Sequence, residues 1–188
     1  EQYTSNCNSQ ENQIFLPLEE EGLYDFTIDW GDGSKDHITS WNQEEILHTY
    51  MIPGIYETKI VGKVNGFNFG SNQRKKPHKA DSIKIIDIIQ WGELELGNLG
   101  GYFRHCINLN ITAKDSPDLS KTTNLSEMFH YAREFNQNIE HWDVSNVEDM
   151  EEMFSEAIKF NQSLNNWNVS NVRNMKEMFT WAANFNQP

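Results

Sequence analysis

One motif recurs three times in succession at a spacing of 25 residues, so the chain has to be read as stacked units before any single residue is given a role. Asp143-Val144-Ser145-Asn146-Val147-Glu148-Asp149-Met150-Glu151-Glu152-Met153-Phe154 lies over Asn168-Val169-Ser170-Asn171-Val172-Arg173-Asn174-Met175-Lys176-Glu177-Met178-Phe179 and over Asp118-Leu119-Ser120-Lys121-Thr122-Thr123-Asn124-Leu125-Ser126-Glu127-Met128-Phe129. Downstream, Phe135-Asn136-Gln137, Phe160-Asn161-Gln162 and Phe185-Asn186-Gln187 keep the same spacing, as do Ile139 with Leu164 and Trp142 with Trp167. A degenerate fourth copy comes first: Leu99, Tyr102, Phe103, Cys106 and Leu109 fall on Leu125, Met128, Phe129, Ala132 and Phe135, and Trp91 opens it.

Two periods alternate inside each copy. Val147, Met150, Met153, Phe154 and Ala157 follow the stripe of a short helix with one buried face, and Ser145 with Glu148 reads as a capping box at its start. The segment Phe135-Asn136-Gln137-Asn138-Ile139 alternates at period 2, as a strand does. Each coil is therefore expected to be one helix and one extended segment, too small to bury its own apolar face without stacked neighbours. Met153 and Phe154 should be buried, and Glu151 and Glu152 exposed. Gln137, Gln162 and Gln187 read as an amide ladder, because stacked strands lie about 4.8 Å apart and an amide both donates and accepts; a ligand-binding role is the alternative. Cys106 stands where other copies have Ala and reads as a small buried thiol.

Positions that change between copies are the candidates for contact with a partner. Tyr131 and Trp181 stand where the middle copy has Glu156, and aromatic residues suit interface anchors; the alternative is flank packing between coils. Together with His141 and Trp41 these are the candidate binding residues. Exposed rings at Trp41, Tyr131 and Trp181 would equally suit stacking on sugar faces.

Upstream of Trp91 the texture changes to short strands. Phe26-Thr27-Ile28-Asp29-Trp30-Gly31-Asp32-Gly33-Ser34 reads as a strand entering a tight turn, with Asp-Gly supplying the positive φ. The segment from His48 through Pro53-Gly54 to Gly62 reads as another, and residues 82–90 as a strand leading into the first coil. Strands at this spacing suggest a small β-sandwich. Asp29, Asp32 and Asp36, with His37 and His48, form the densest group of possible ligands in this part. Their spacing of three and four departs from the alternate oxygens of a calcium loop, so turn aspartates compete with calcium as the reading.

A net charge of -13 disfavours nucleic acid and anionic lipid as partners, since phosphate binding needs clustered Lys and Arg. The basic run at 74–79 reads as a solvated loop. No apolar run is long enough to span a bilayer, so direct membrane insertion is not expected. Cys7 and Cys106 are too few for a disulfide framework, and the six His are too scattered for a zinc site. No nucleophile or phosphate-loop motif is present, and the chain reads as non-enzymatic, with no cofactor beyond the calcium alternative.

Two groups of residues carry a family resemblance. Ile28-Asp29-Trp30-Gly31-Asp32-Gly33-Ser34, followed by His48-Thr49-Tyr50-Met51-Ile52-Pro53-Gly54-Ile55-Tyr56, resembles the PKD-type immunoglobulin-like domain. The Phe-Asn-Gln, Trp-Asx-Val-Ser-Asn-Val and Met-x-x-Met-Phe copies resemble BspA-like leucine-rich repeats of bacterial and protozoan surface proteins. The resemblance implies a mixed α/β chain: a small PKD-like or immunoglobulin-like β-sandwich, then a leucine-rich-repeat-type solenoid of helix-plus-strand coils. The expected organisation is an N-terminal tail (1–13), the sandwich (14–65), a basic linker loop (66–82) and about four coils (83–188). It also implies an extracellular or cell-surface location and adhesion to a protein partner or an extracellular-matrix or cell-surface component. A carbohydrate-binding module and a unit of a surface filament or coat are the alternatives. The last coil, with Phe185 and Val172, Met175, Met178, Phe179 and Ala182 on an open edge, is expected either to continue into further coils or to serve self-assembly.

Overall fold

A computed structural model describes residues 9–70 and 81–188. Cys7 and the basic run at 74–79 lie outside the described residues, as do parts of the expected N-terminal tail and linker. Strand β1 (Gln13–Phe15) pairs antiparallel with β4 (Leu47–Thr49). Strand β2 (Leu18–Asp29) is central to a second sheet of order β3-β2-β5, flanked by β3 (Lys35–Ile38) and β5 (Lys59–Phe67). The chain reverses between β2 and β3 where Trp30 N donates to Ser34 O at 3.1 Å, with Gly31 and Gly33 at φ 81° and 95°. Tyr24, Phe26 and Ile28 alternate toward the core with exposed Leu23, Asp25 and Thr27, the period-2 signature of a sheet with one wet face. Their core contains Leu16, Leu18, Trp30, Ile38, Ile46, Tyr50 and Val64.

This sheet arrangement corrects the expected PKD-like or immunoglobulin-like sandwich. The sheets have three and two strands, and the segment after Pro53-Gly54 forms no hairpin: β4 and β5 belong to different sheets. Met51, Ile52 and Ile55 are exposed and outside any strand, so the alternation that reads as a strand there has no sheet to face. Of residues 82–90, only β6 (Asp87–Ile88) is a strand, paired in parallel with β7 (Asn110–Ile111).

The helix-plus-strand solenoid is corrected more deeply, because there is no α-helix among the described residues. Each repeat is instead a run of tight turns. Met128 N donates to Leu125 O and Ala132 N to Phe129 O, while the intervening N–H groups of Leu125, Glu127, Phe129 and Tyr131 cross to Asp149, Glu151, Met153 and Ser155 O in the next repeat, at 2.8–2.9 Å. Met150, Glu152, Phe154 and Glu156 cross in the same way to Asn174, Lys176, Met178 and Thr180. Turns closed between residues i and i+3 bring the same side chains together as a helix does, which is why the apolar stripe misleads. The helix is excluded by competing side-chain bonds: Asn124, Asp149 and Asn174 Oδ1 accept from Ser126, Glu151 and Lys176 N. Ser145 is no helix cap; its N–H donates to Asp143 Oδ1, and Asp118 and Asn168 repeat that turn.

Residues 135–139 are likewise not a strand. The amides form a ladder, but between different partners: Gln162 Nε2 donates to Asn136 Oδ1 at 3.0 Å and Gln187 Nε2 to Asn161 Oδ1 at 2.9 Å. Inside the stack, Phe103, Phe129, Phe154, Phe135 and Phe160 are fully buried with Leu125, Met128, Val147, Met150, Met153 and Cys106. Glu151 and Glu152 are half-buried rather than exposed. The two cores meet at Phe67 and Leu94, which pack against both, and Asn68 Nδ2 ties them by donating to Glu19 Oε1 and Gly100 O.

Candidate functional site

The seven non-glycine residues with positive φ among the described residues all lie in the repeats: His105, Glu127, Tyr131, Glu152, Glu156, Glu177 and Trp181. Each is the third residue of an i-to-i+3 turn, the position where a type II turn favours Gly or Asn. Two columns result. One carries Gly101, Glu127, Glu152 and Glu177; the other carries His105, Tyr131, Glu156 and Trp181, in successive repeats. The backbone is the same in each repeat; the first column repeats Glu in the three clear copies, whereas the second presents a different side chain each time.

The second column contains three of the sequence-derived candidates. Trp181 is 76% exposed, whereas Tyr131 is half-buried with its ring 5.0 Å from that of His105 and the Arg133 guanidinium 5.1 Å from its centre. Glu156 is half-buried and pairs with Arg133 at 3.0 Å. The other two candidates lie elsewhere. His141 is exposed on the turn that Trp142 N closes to Ile139 O, and Trp41 packs against the core of the N-terminal sheets. The aromatic residues therefore make no continuous platform.

The three candidate calcium aspartates are each engaged by different protein groups. Asp29 pairs with Lys35 at 2.8 Å, Asp36 accepts from Trp30 Nε1 at 2.7 Å, and Asp32 accepts from Ser34 and faces His48 Nε2 at 2.9 Å. Bonds from Ser34, then His48, hold the Asp32 carboxyl down at about 2.

The first column borders a cluster that the sequence reading missed. Glu127, His130 and Glu152 bring one oxygen or nitrogen each within 4.8 Å of one another. His130 Nδ1 is 3.0 Å from Glu152 Oε2, and Arg104 from the preceding repeat forms an ion pair with Glu127. Burial, then the charge of Arg104 and the neighbouring His105, pushes His130 down to about 4, and burial likewise takes His105 to about 4. The Glu152 carboxyl is raised, first by burial and then by Glu127 and Glu177. A signal for this column was present in the sequence: Glu recurs at 127, 152 and 177, while the partner position changes from His130 to Ser155 and Thr180.

A cavity of about 210 Å³ opens between the N-terminal sheets and the stack, lined by Glu19, Glu21, Glu95, Asp118, Lys121 and neighbouring residues. Lys121 is held to Glu95 at 2.7 Å. Burial raises the Glu19 carboxyl, partly offset by the bond from Asn68.

Fold and site together define a repeat protein that holds side chains on a turn-built backbone. Over residues 97–188 the sequence is similar to a family described as Mycoplasma protein of unknown function, DUF285. Comparison with curated proteins and with solved structures gave no match. The matched residues span the three clear copies and most of the degenerate one.

Proposed function

We propose that the chain is a non-enzymatic binding module of a cell-surface or secreted protein, recognising a protein partner through the column His105, Tyr131, Glu156 and Trp181. The supporting observation is the strain at these positions. A left-handed conformation disfavours a residue with a Cβ by about 1–2 kcal/mol, and glycine would relieve it. The column nevertheless carries imidazole, phenol, carboxylate and indole groups on one repeated backbone. Strain retained at side-chain-bearing positions is a feature of working surfaces. The large, varied side chains suit a protein epitope better than a repetitive polymer, because each repeat offers different chemistry.

Binding of the full chain to a panel of extracellular-matrix proteins and to a glycan array tests the reading. Saturable binding to a protein is expected. Binding to glycans alone, with competition at Trp181, would replace it with the sugar-stacking alternative, and binding to neither would remove it.

A further inference from the structure

We propose that Glu127, His130 and Glu152 form a binding site for a divalent metal ion of the zinc class, bridging two neighbouring repeats. The three side chains offer two carboxylates and one imidazole within 4.8 Å of one another. The His130 side chain is 9% exposed, and its Nδ1 has no hydrogen-bond partner although it lies 3.0 Å from Glu152 Oε2. Glu127 Oε2 is held by its ion pair with Arg104, so the unpartnered ligand atom at this place is the buried His130 nitrogen. A buried polar atom normally finds a partner, and an imidazole nitrogen left without one beside two carboxylates marks a position for a bound cation.

The donor set selects the ion. Calcium and magnesium take oxygen ligands, whereas an imidazole joined by carboxylates suits zinc and its neighbours. Zinc–nitrogen and zinc–oxygen distances near 2.0–2.1 Å place tetrahedral ligands about 3.4 Å apart. The His130–Glu152 edge already lies near that value. Glu127 and Glu152 are only partly buried, at 23% and 28% exposure, so Glu152, and Glu127 once released by Arg104, have room to swing the remaining distance and leave a position for water. Only one such site is available in the described repeats, because Ser155 and Thr180 replace His130 in the following copies.

Arg104 gives the site a competitor. Its guanidinium pairs with Glu127, and an arriving cation displaces that pair. The ion would sit between the turns, apart from the column His105, Tyr131, Glu156 and Trp181, and needs no protein partner.

Isothermal titration of the chelator-treated full chain with zinc chloride is the test. One equivalent is expected to bind, with affinity reduced more than about tenfold in both His130→Ala and Glu152→Gln and increased in Arg104→Gln. Thermal melting in chelator checks that the variants fold, and Glu152→Gln, at a partly exposed position, keeps the test decisive if His130→Ala does not. Absence of zinc binding, or binding of equal strength in the parent and Glu152→Gln, overturns the proposal. A weaker affinity in Arg104→Gln would also count against it.

Discussion

The rings of Phe129 and Phe154, one repeat apart, stack with centroids 5.7 Å apart and planes 17° from parallel, and Phe179 continues the stack at 5.5 Å and 5°. Phe154 is also packed on Phe160 at 4.2 Å, so it touches apolar rings on three sides. Truncation leaves a cavity that neighbouring turns, tied by inter-repeat hydrogen bonds, are poorly able to close. Phe154→Ala is therefore expected to destabilise the chain by about 3–5 kcal/mol. Equilibrium denaturation checks this, and a loss below about 1 kcal/mol would mean that the stack is looser than its geometry.

Glu156 allows the strain at the turns to be measured directly, because its pair with Arg133 is partly exposed and contributes little. Glu156→Gly should remain within about 1 kcal/mol of the parent or exceed it, since relief of the left-handed strain opposes the entropy of glycine. Glu156→Val should lose about 1–3 kcal/mol, a β-branched residue being least suited to positive φ. Chemical denaturation of the pair reads the difference, and an equal effect of Gly and Val would deny that the backbone there is left-handed.

Glu19 gives the pH dependence a definite sign. Burial raises its carboxyl above the ordinary value of 4.5, so the folded chain keeps a proton that the unfolded chain has released. Its contribution to stability is thus largest below the unfolded value and falls as pH rises through the raised folded one. Glu19→Gln, still able to accept from Asn68, should melt higher than the parent at neutral pH and lose that advantage in acid. Melting curves across the pH range check it; a variant less stable than the parent at neutral pH would show that the charged carboxylate is favoured where it sits.

The three aspartates at and beside the β2–β3 turn are already engaged by Lys35, Trp30, Ser34 and His48, so added calcium should leave the melting temperature unchanged. Asp32→Ala should lower it through loss of the Ser34 bonds and the His48 contact. A calcium-dependent rise abolished by Asp32→Ala would restore the metal reading.

The repeat and its buried side chains were legible in the sequence, because Phe129, Phe154, Met128 and Met153 recur at fixed spacing and apolar recurrence implies a shared interior. The secondary structure was not. An i, i+3 pattern is produced equally by a helix and by successive tight turns, and the deciding signal lay in Asn124, Asp149 and Asn174, whose side chains capture backbone N–H groups. Tyr131, Glu156 and Trp181 could be aligned from sequence alone, but their common left-handed backbone could not, since none is a residue that favours it. Glu127, His130 and Glu152 were hidden for a different reason. Recurrent Glu reads as surface charge until the fold shows His130 beside it.

If, as proposed, the column side chains serve recognition while the turns hold the fold, binding and stability separate at these positions. The triple variant Tyr131→Gly, Glu156→Gly and Trp181→Gly tests both halves in one measurement against the protein partner found in the binding panel. A melting temperature at or above that of the parent, together with affinity reduced at least about tenfold, is the expected result. A folded variant that binds the partner as tightly as the parent would place recognition on another surface.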